Sequence, residues 1–210
     1  MTESTVHVVD DDESFLTAMS RLLRASGFRT QTYSSARAFL AQGCDDEPGC
    51  VVVDLRMPDL GGLDLQFALG QTHNPLPVLF LTGHADTAST VRAMRGGAED
   101  FLEKRAPKEQ LLDAVRRALA RDARERVERS RHDEVHHRFE TISPREHEVL
   151  GLVLQGRLNK QIAGDLGIHE RTVKVHRKSI MTKLGVRSVA ALTRLAQEAG
   201  VPVPPGSTFP

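Results

Sequence analysis

The first half of the chain places acidic side chains, a hydroxyl and an ammonium at the ends of short apolar segments. Clustered carboxylates repel one another, so a site that gathers them needs a divalent cation, and Mg²⁺ suits oxygen ligands. A carboxylate can also be the nucleophile toward a phosphoryl group, giving an aspartyl phosphate. Mg²⁺ and a lysine would neutralise the transferring group, and a threonine could donate it a hydrogen bond. The residues concerned are Asp10, Asp11, Asp12, Asp54, Thr82 and Lys104.

The apolar segments that precede these residues are typical of buried strands. Helical stretches separate them, the first ending at Gly27. Alternating strands and helices predict a parallel sheet with helices on both faces, which binds ligands at the carboxyl ends of its strands. The predicted strands span 6–10, 29–33, 50–54, 77–82 and 100–104, and the later helices span about 35–41, 63–70, 87–95 and 108–119.

Four motifs in this region resemble those of two-component receiver domains, over about residues 4–120. The resemblance implies an α/β, flavodoxin-like, doubly wound parallel sheet of five strands in the order 2-1-3-4-5. The motifs are Val8-Val9-Asp10-Asp11-Asp12, Val53-Asp54-Leu55-Arg56-Met57-Pro58-Asp59, Leu81-Thr82-Gly83-His84 and Asp100-Phe101-Leu102-Glu103-Lys104.

The resemblance also implies roles for individual residues. Asp54 would be the phospho-acceptor, and Asp10 would act on Mg²⁺ through water. Asp12 has no role in the family and is expected to be a solvated surface carboxylate. The direct Mg²⁺ ligands would be Asp11, Asp54 and the backbone carbonyl of Arg56; Thr82 and Lys104 would contact the phosphoryl group; Thr82 and Phe101 would shift together on activation.

One departure from the family pattern follows Lys104. Receiver domains usually carry proline there, after a cis bond, whereas this chain has Arg105 and a proline only at Pro107. A cis bond before a residue other than proline costs about 2.5–4 kcal/mol. We therefore predict a trans bond between Lys104 and Arg105 and a rearranged loop after the fifth strand.

Charge divides the chain although its formal net charge is zero. Residues 1–120 carry −5, residues 121–140 carry 0 and residues 141–210 carry +5. The middle stretch predicts a solvated helical linker at 121–139, with a dimeric coiled coil as the less favoured alternative. The two cysteines, Cys44 and Cys50, are too few for a disulfide framework and fit a reducing cytosol. No apolar run approaches a membrane span of about 18 residues and no signal peptide is visible, so we expect a cytoplasmic protein.

Helices alone are predicted over residues 140–200, with a disordered, proline-rich tail at 201–210. Ser143 and Glu146 form the pattern of a capping box, and Asn159 is expected to cap the next helix. A third helix runs from about Glu170 to Leu184, and no acidic residue follows Glu170 on it. One-sided positive charge favours a helix in a DNA major groove over a merely basic surface.

This segment resembles the LuxR-type helix-turn-helix domain of the FixJ/NarL response regulators. The resemblance covers about 60 residues and rests on motifs such as Asn159-Lys160-Gln161-Ile162-Ala163 and Thr172-Val173-Lys174-Val175-His176. It implies contacts with double-stranded DNA. Base edges would be reached by Lys174, Val175 and Lys178, and phosphates by Lys160, Thr172, His176 and Arg177.

The sequence therefore favours a response regulator that a histidine kinase phosphorylates on Asp54, so that it dimerises, binds specific DNA and regulates transcription with RNA polymerase. Two alternatives stay open. A phosphohydrolase would share the nucleophile, but it would carry a second acid where this chain has Arg56. A DNA-binding regulator with an unresponsive receiver is supported only by the departure at Arg105. We expect no enzymatic turnover.

Overall fold

The computed structural model describes residues 4–42, 47–73, 75–83 and 86–201. The chain divides into two compact units between Arg126 and Val127. Cys44, His84 and residues 202–210 of the predicted tail lie outside the described residues. No described helix has the length and apolar composition needed to cross a membrane.

The first unit contains a five-stranded parallel sheet in the order β2-β1-β3-β4-β5, which confirms the predicted topology. Each strand alternates with a helix along the chain. The strands are β1 (Thr5–Val9), β2 (Arg29–Tyr33), β3 (Gly49–Val53), β4 (Val78–Thr82) and β5 (Asp100–Glu103), and the helices are α1 (Glu13–Ala25), α2 (Ala36–Gln42), α3 (Gly62–Leu69), α4 (Thr87–Arg95) and α5 (Lys108–Glu140).

The sheet is buried on both faces because successive side chains of β1, β3 and β4 enter two different cores. Val9 and Phe80 belong to the core under α2, α3 and α4. Val8 and Leu79, their neighbours along the strands, belong to the core under α1 and α5. Both faces of β1, β3 and β4 are covered by helices, so neither face is exposed to solvent. This explains why these strands are mostly apolar along their whole length.

Helix α5 unites the predicted helix at 108–119 and the predicted helical linker at 121–139 in one continuous helix. Its residues up to Arg126 pack with the first unit. Asp122 is buried and accepts a hydrogen bond from the backbone N–H of Gly49 at 2.9 Å. Arg126 bonds to Asp122 at 2.9 Å and to the carbonyl of Glu47 at 2.7 Å. Because of these contacts, the predicted linker is not solvated along its whole length. The domain boundaries remain a prediction.

The described residues of the second unit form helices joined by short turns. Its core takes Val135 and Phe139 from α5 and buried residues from each later helix, among them the predicted inward positions Val173, Ile180 and Leu184. The capping box is present, with Ser143 N–H donating to Glu146 at 2.8 Å. The later helices are α6 (Pro144–Leu154), α7 (Asn159–Leu166), α8 (Glu170–Lys183) and α9 (Val189–Glu198).

The prediction that Asn159 caps α7 is wrong. The helix begins at Asn159 itself, and the preceding residue, Leu158, is the N-cap. The Gln161 side-chain carbonyl accepts the Leu158 N–H at 2.8 Å, which satisfies this helix end. The Asn159 side chain is thereby available to accept a hydrogen bond from Arg177 on α8, at 3.1 Å.

Candidate functional site

Two buried carboxylates share one ammonium at the carboxyl end of the sheet. Asp10 follows β1 and Asp54 follows β3, and their side chains are 1% and 7% exposed. The Lys104 ammonium, which follows β5, lies 2.6 Å from Asp10 Oδ2 and 3.2 Å from Asp54 Oδ1. The parallel topology brings together three residues that are as much as 94 positions apart in the sequence, as the strand-end argument predicted.

Backbone groups of the adjoining loops fix the orientation of both carboxylates. The Asp12 N–H donates to Asp10 Oδ1 at 3.0 Å, and the Arg56 N–H donates to Asp54 Oδ2 at 2.8 Å. Gly62 permits a close approach on the other side, since a Cβ there would lie 2.4 Å from the Asp54 carbonyl oxygen. Asp54 is therefore held by its own turn with one oxygen left toward Lys104.

Burial and ion pairing shift the pKa values of the charged groups in this pocket. Burial raises the pKa of Asp10 above its ordinary value, although the bonds from Lys104 and Asp12 oppose this effect. Burial acts to lower the pKa of Lys104, but the bonds and charges of Asp10 and Asp54 exceed it, so the net direction is upward. Lys104 is therefore held as a cation between the two acids.

Two side chains near this pocket make contacts that the sequence did not predict. The Phe15 ring lies under the Lys104 ammonium, 4.3 Å from its centroid, which is a cation–π contact. Asp12 is exposed as expected, but it also caps α1 by accepting the N–H groups of Ser14 and Phe15 at 2.9 and 3.1 Å. The Asp-x-x position before an amphipathic helix is a recognisable capping signal. No comparable signal in the sequence identifies Phe15.

The two proposed switch residues occupy neighbouring strands. Thr82 ends β4 and is 2% exposed, and its carbonyl accepts the Lys104 N–H at 2.8 Å. Phe101 on β5 is partly buried and stacks on Phe80, with ring centroids 5.8 Å apart. The Lys104–Arg105 bond is trans, as predicted. The Ala106 N–H bonds to Glu103 at 2.8 Å in the turn that follows β5.

The remaining predicted residues of this site lie at its solvent edge. Asp11 is exposed at the end of β1. The Arg56 side chain is 69% exposed and pairs with Asp86 at 3.5 Å. A hydrogen bond from the Ser89 N–H is the main cause that lowers the pKa of Asp86, which caps α4.

Oxygen donors predominate in the pocket, although the described residues contain no group of three His, Cys, Asp or Glu side chains arranged to hold a metal ion. The two buried carboxylates are compatible with Mg²⁺, which takes one or two carboxylates and keeps several waters. The donor set therefore fits Mg²⁺, with water completing its coordination.

Helix α8 presents a basic face in the second unit. Lys174, Val175 and Lys178 are all exposed, and their spacing places them on one side of the helix. Val175 is 61% exposed although it is apolar. Lys174 pairs with Glu170 at 3.3 Å on the same face. The residues expected at base edges therefore share one solvent-facing surface.

The residues expected at phosphates are placed differently from one another. Lys160 is exposed at the start of α7. Thr172, His176 and Arg177 are partly buried, and Arg177 links α8 to Asn159 of α7. Lys183, also basic, is 2.6 Å from Glu146 and bonds to the Thr141 carbonyl at 2.9 Å. Lys183 thus joins α8 to α6, a structural role that its charge alone did not indicate.

Comparison with known proteins identifies both units. The response regulator receiver domain matches residues 6–116, and the luxR family of bacterial regulatory proteins matches residues 140–196. Nodulation protein W of Bradyrhizobium diazoefficiens is 42% identical over 200 residues, which cover 95% of this chain and 88% of that protein. The transcriptional regulatory protein FixJ of Rhizobium meliloti is 38% identical over 200 residues, which cover 95% and 98% of the two chains.

A solved structure gives the same assignment. The response regulator StyR matches with a TM-score of 0.85 and 43% identity, over 93% of this chain and 99% of that one. Receiver domains typically use Mg²⁺, and the two domains together imply a histidine kinase and DNA as partners. This chain belongs to the two-component response regulators that combine a receiver domain with a LuxR-type DNA-binding domain, a family of transcription regulators and not of enzymes.

Proposed function

We propose that Asp54 accepts a phosphoryl group from the phosphohistidine of a kinase, and that this modification controls dimerisation and sequence-specific DNA binding. The observation that carries the proposal is the pairing of Asp54 with Lys104 at 3.2 Å in a pocket that also holds Asp10. An Asp54 oxygen forms the new P–O bond while the P–N bond breaks, and the imidazole nitrogen leaves with the electron pair. A neighbouring cation stabilises the charge on the transferring oxygens.

The other residues of the pocket prepare this step. Asp10, Asp11, Asp54 and the Arg56 carbonyl would hold Mg²⁺, which when bound offsets the charge of the phosphoryl oxygens. In the unmodified pocket the Lys104 ammonium pairs with both Asp10 and Asp54, and after transfer it would pair with a phosphoryl oxygen on Asp54. Thr82 would donate its hydroxyl hydrogen to the phosphoryl group.

Modification would then change the surface of the receiver. A Thr82 hydroxyl drawn toward the phosphoryl group vacates space beside β5, and Phe101 would move with it. Such a shift changes the populations of two receiver states, because the phosphoryl group would interact more favourably with one state than with the other. The state that carries phosphate would favour a homodimer, which matches a two-fold related DNA site.

On the DNA, α8 would lie in the major groove. Lys174, Val175 and Lys178 would meet base edges, because they share the exposed face and an apolar side chain can contact the thymine methyl. Phosphate contacts would come from exposed Lys160 on α7 and from the partly buried Thr172, His176 and Arg177 on α8. Bound in this way, the dimer would act on transcription together with RNA polymerase.

The test compares wild type with Asp54→Ala, with and without Mg²⁺ and a small acyl phosphate, by mass in solution and by DNA affinity. A donor-dependent dimer that binds DNA more tightly, absent from the variant, is the expected result. Mass spectrometry of the intact chain confirms the modification. If the phosphorylated chain has the same DNA affinity and the same mass in solution as the unmodified chain, the switch is rejected. Donor-independent DNA binding by both proteins would instead support a regulator with an unresponsive receiver.

A further inference from the structure

Two imidazoles face each other on α5, in the part of this helix that belongs to the second unit. His132 and His136 are one turn apart and both are exposed. Their ring centroids lie 4.3 Å apart at an interplanar angle of 65°. Among the described residues, neither ring has a hydrogen-bond or ion-pair partner. Four imidazole nitrogens are thus concentrated on one helical turn and open to solvent.

The spacing of this pair is that of a metal chelate. Residues four apart lie on the same face of a helix, and two histidines at this spacing supply the zinc ligands of helical metal motifs. Neutral imidazole is a good ligand for Zn²⁺, Cu²⁺ and Ni²⁺, whereas Mg²⁺ prefers oxygen. The rings lie outside the core of the unit, so they can rotate onto a shared ion without disturbing the packing of Val135 and Phe139.

The next residue along the helix provides an internal contrast. His137 is also exposed, but it lies on a different side of α5 and its Nδ1 is 3.3 Å from Glu140 Oε2. Only the pair at 132 and 136 therefore combines helical chelate spacing with rings that have no other polar partner in the described part of the chain.

We propose that His132 and His136 bind one transition-metal cation of the class that prefers imidazole, as an open two-nitrogen chelate. Two protein ligands leave the other coordination positions to water, in contrast to closed structural zinc sites with four ligands. The site is separate from the acidic pocket and does not depend on phosphorylation. A bound ion would connect two turns of α5 on the exposed side of the segment that carries the core residue Val135, and would stabilise that segment by mass action.

The experiment is a calorimetric titration of the untagged full-length chain, freed of metal by a chelator, with Cu²⁺, Zn²⁺ and Mg²⁺ in turn. One high-affinity Cu²⁺ per chain is expected, with weaker binding of Zn²⁺ and none of Mg²⁺ at this site, following the order of divalent ions on nitrogen ligands. His132→Ala and His136→Ala should each weaken Cu²⁺ binding at least about tenfold, since removal of even an outer-shell partner costs that much.

The matched control is His137→Ala, which should leave the affinity unchanged. Circular dichroism of each variant shows whether the total helix content of the chain is unchanged, so that a folding defect is not mistaken for a lost ligand. A second measurement follows amide exchange of residues 132–136, which Zn²⁺ should slow in wild type and in His137→Ala but not in His136→Ala. Equal Cu²⁺ affinity of wild type and His136→Ala, or an equal loss in His137→Ala, would overturn the proposal.

Discussion

The Lys104 ammonium lies 2.6 Å from a carboxylate oxygen of Asp10, a residue that is almost fully buried. The same ammonium is 3.2 Å from Asp54, so a single cation offsets two acids at the end of the sheet. Burial of an unpaired charge is far more costly than burial of a paired one. Lys104 therefore stabilises the unmodified receiver in addition to any role in phosphoryl transfer.

Lys104→Met should destabilise the first unit by about 1–3 kcal/mol at pH 7 in the absence of Mg²⁺, because it leaves two carboxylates facing each other. Without the cation, the pKa of Asp10, which burial already raises, should rise further. The decrease in the free energy of unfolding should therefore be largest at neutral pH. It should become smaller as the pH falls and Asp10 is protonated.

Urea unfolding followed by tyrosine fluorescence measures this loss. The chain has one tyrosine and no tryptophan, and Tyr33 lies in the first unit, so its signal reports that unit alone. Lys108→Met is the control, since Lys108 is exposed and, among the described residues, forms an ion pair with Glu109 alone, at 3.7 Å. A deficit that is equal at all pH values would show that the repulsion between Asp10 and Asp54 is not its cause.

Asp122→Ala should also destabilise the first unit, by about 1–3 kcal/mol, because the Gly49 N–H and the Arg126 guanidinium both lose a buried acceptor. The same tyrosine signal reports the effect. The matched control on α5 is Asp113→Ala, where an exposed ion pair with Arg116 is lost and a change within about 0.5 kcal/mol is expected. Equal effects of the two changes would mean that the Gly49 contact contributes nothing to stability.

The sheet could be predicted from the sequence because buried parallel strands are short apolar runs with polar ends. β2 was predicted residue for residue, and β1 and β3 within one residue at either end. The packing of the charged part of α5 could not be predicted in this way. A helix of charged residues has the same sequence pattern whether it is solvated or, as at Asp122, accepts a hydrogen bond from a strand distant in sequence.

The candidate site shows the same division. Asp10, Asp54 and Lys104 were found because they end strands, and strand ends converge by topology. Phe15 was missed because a helical apolar residue is usually core, and only the folded chain shows a cation over its ring. Asn159 was assigned to the wrong role because two polar side chains compete at the start of α7, and local sequence does not decide between Gln161 and Asn159.

The second unit should lose stability in acid through Glu146. A hydrogen bond from Lys183, aided by Ser179 and the Ser143 N–H, lowers the pKa of Glu146 from 4.5 to about 2. A depressed carboxyl pKa contributes stability that is fully present above the unfolded value and is lost as the pH falls through the folded value. The loss should therefore occur between pH 4.5 and about 2.

Amide exchange of α6 to α9 across this range measures the effect, because the unit contains no tyrosine or tryptophan. Glu146→Gln should be less stable than wild type at pH 7 and should show a smaller further loss in acid. Glu148→Gln is the control, since Glu148 is exposed and pairs with Arg145 on the same helix. If the acid-dependent loss of Glu146→Gln equals that of wild type, Glu146 is not the group responsible.

The DNA contacts can be sorted by comparing Lys174→Ala with Lys160→Ala on a duplex selected from a random pool and on mismatched versions of it. Lys174→Ala should cost about 1–3 kcal/mol on the selected site and relax preference at one position, as expected for a base contact. Lys160→Ala should weaken binding to all duplexes alike and reduce the salt slope by about one. Arg177→Ala is a less suitable phosphate probe, because it also breaks the bond to Asn159 between α7 and α8. The reverse pattern, with selectivity lost in Lys160→Ala and a uniform loss in Lys174→Ala, would mean that α7 and not α8 reads the bases.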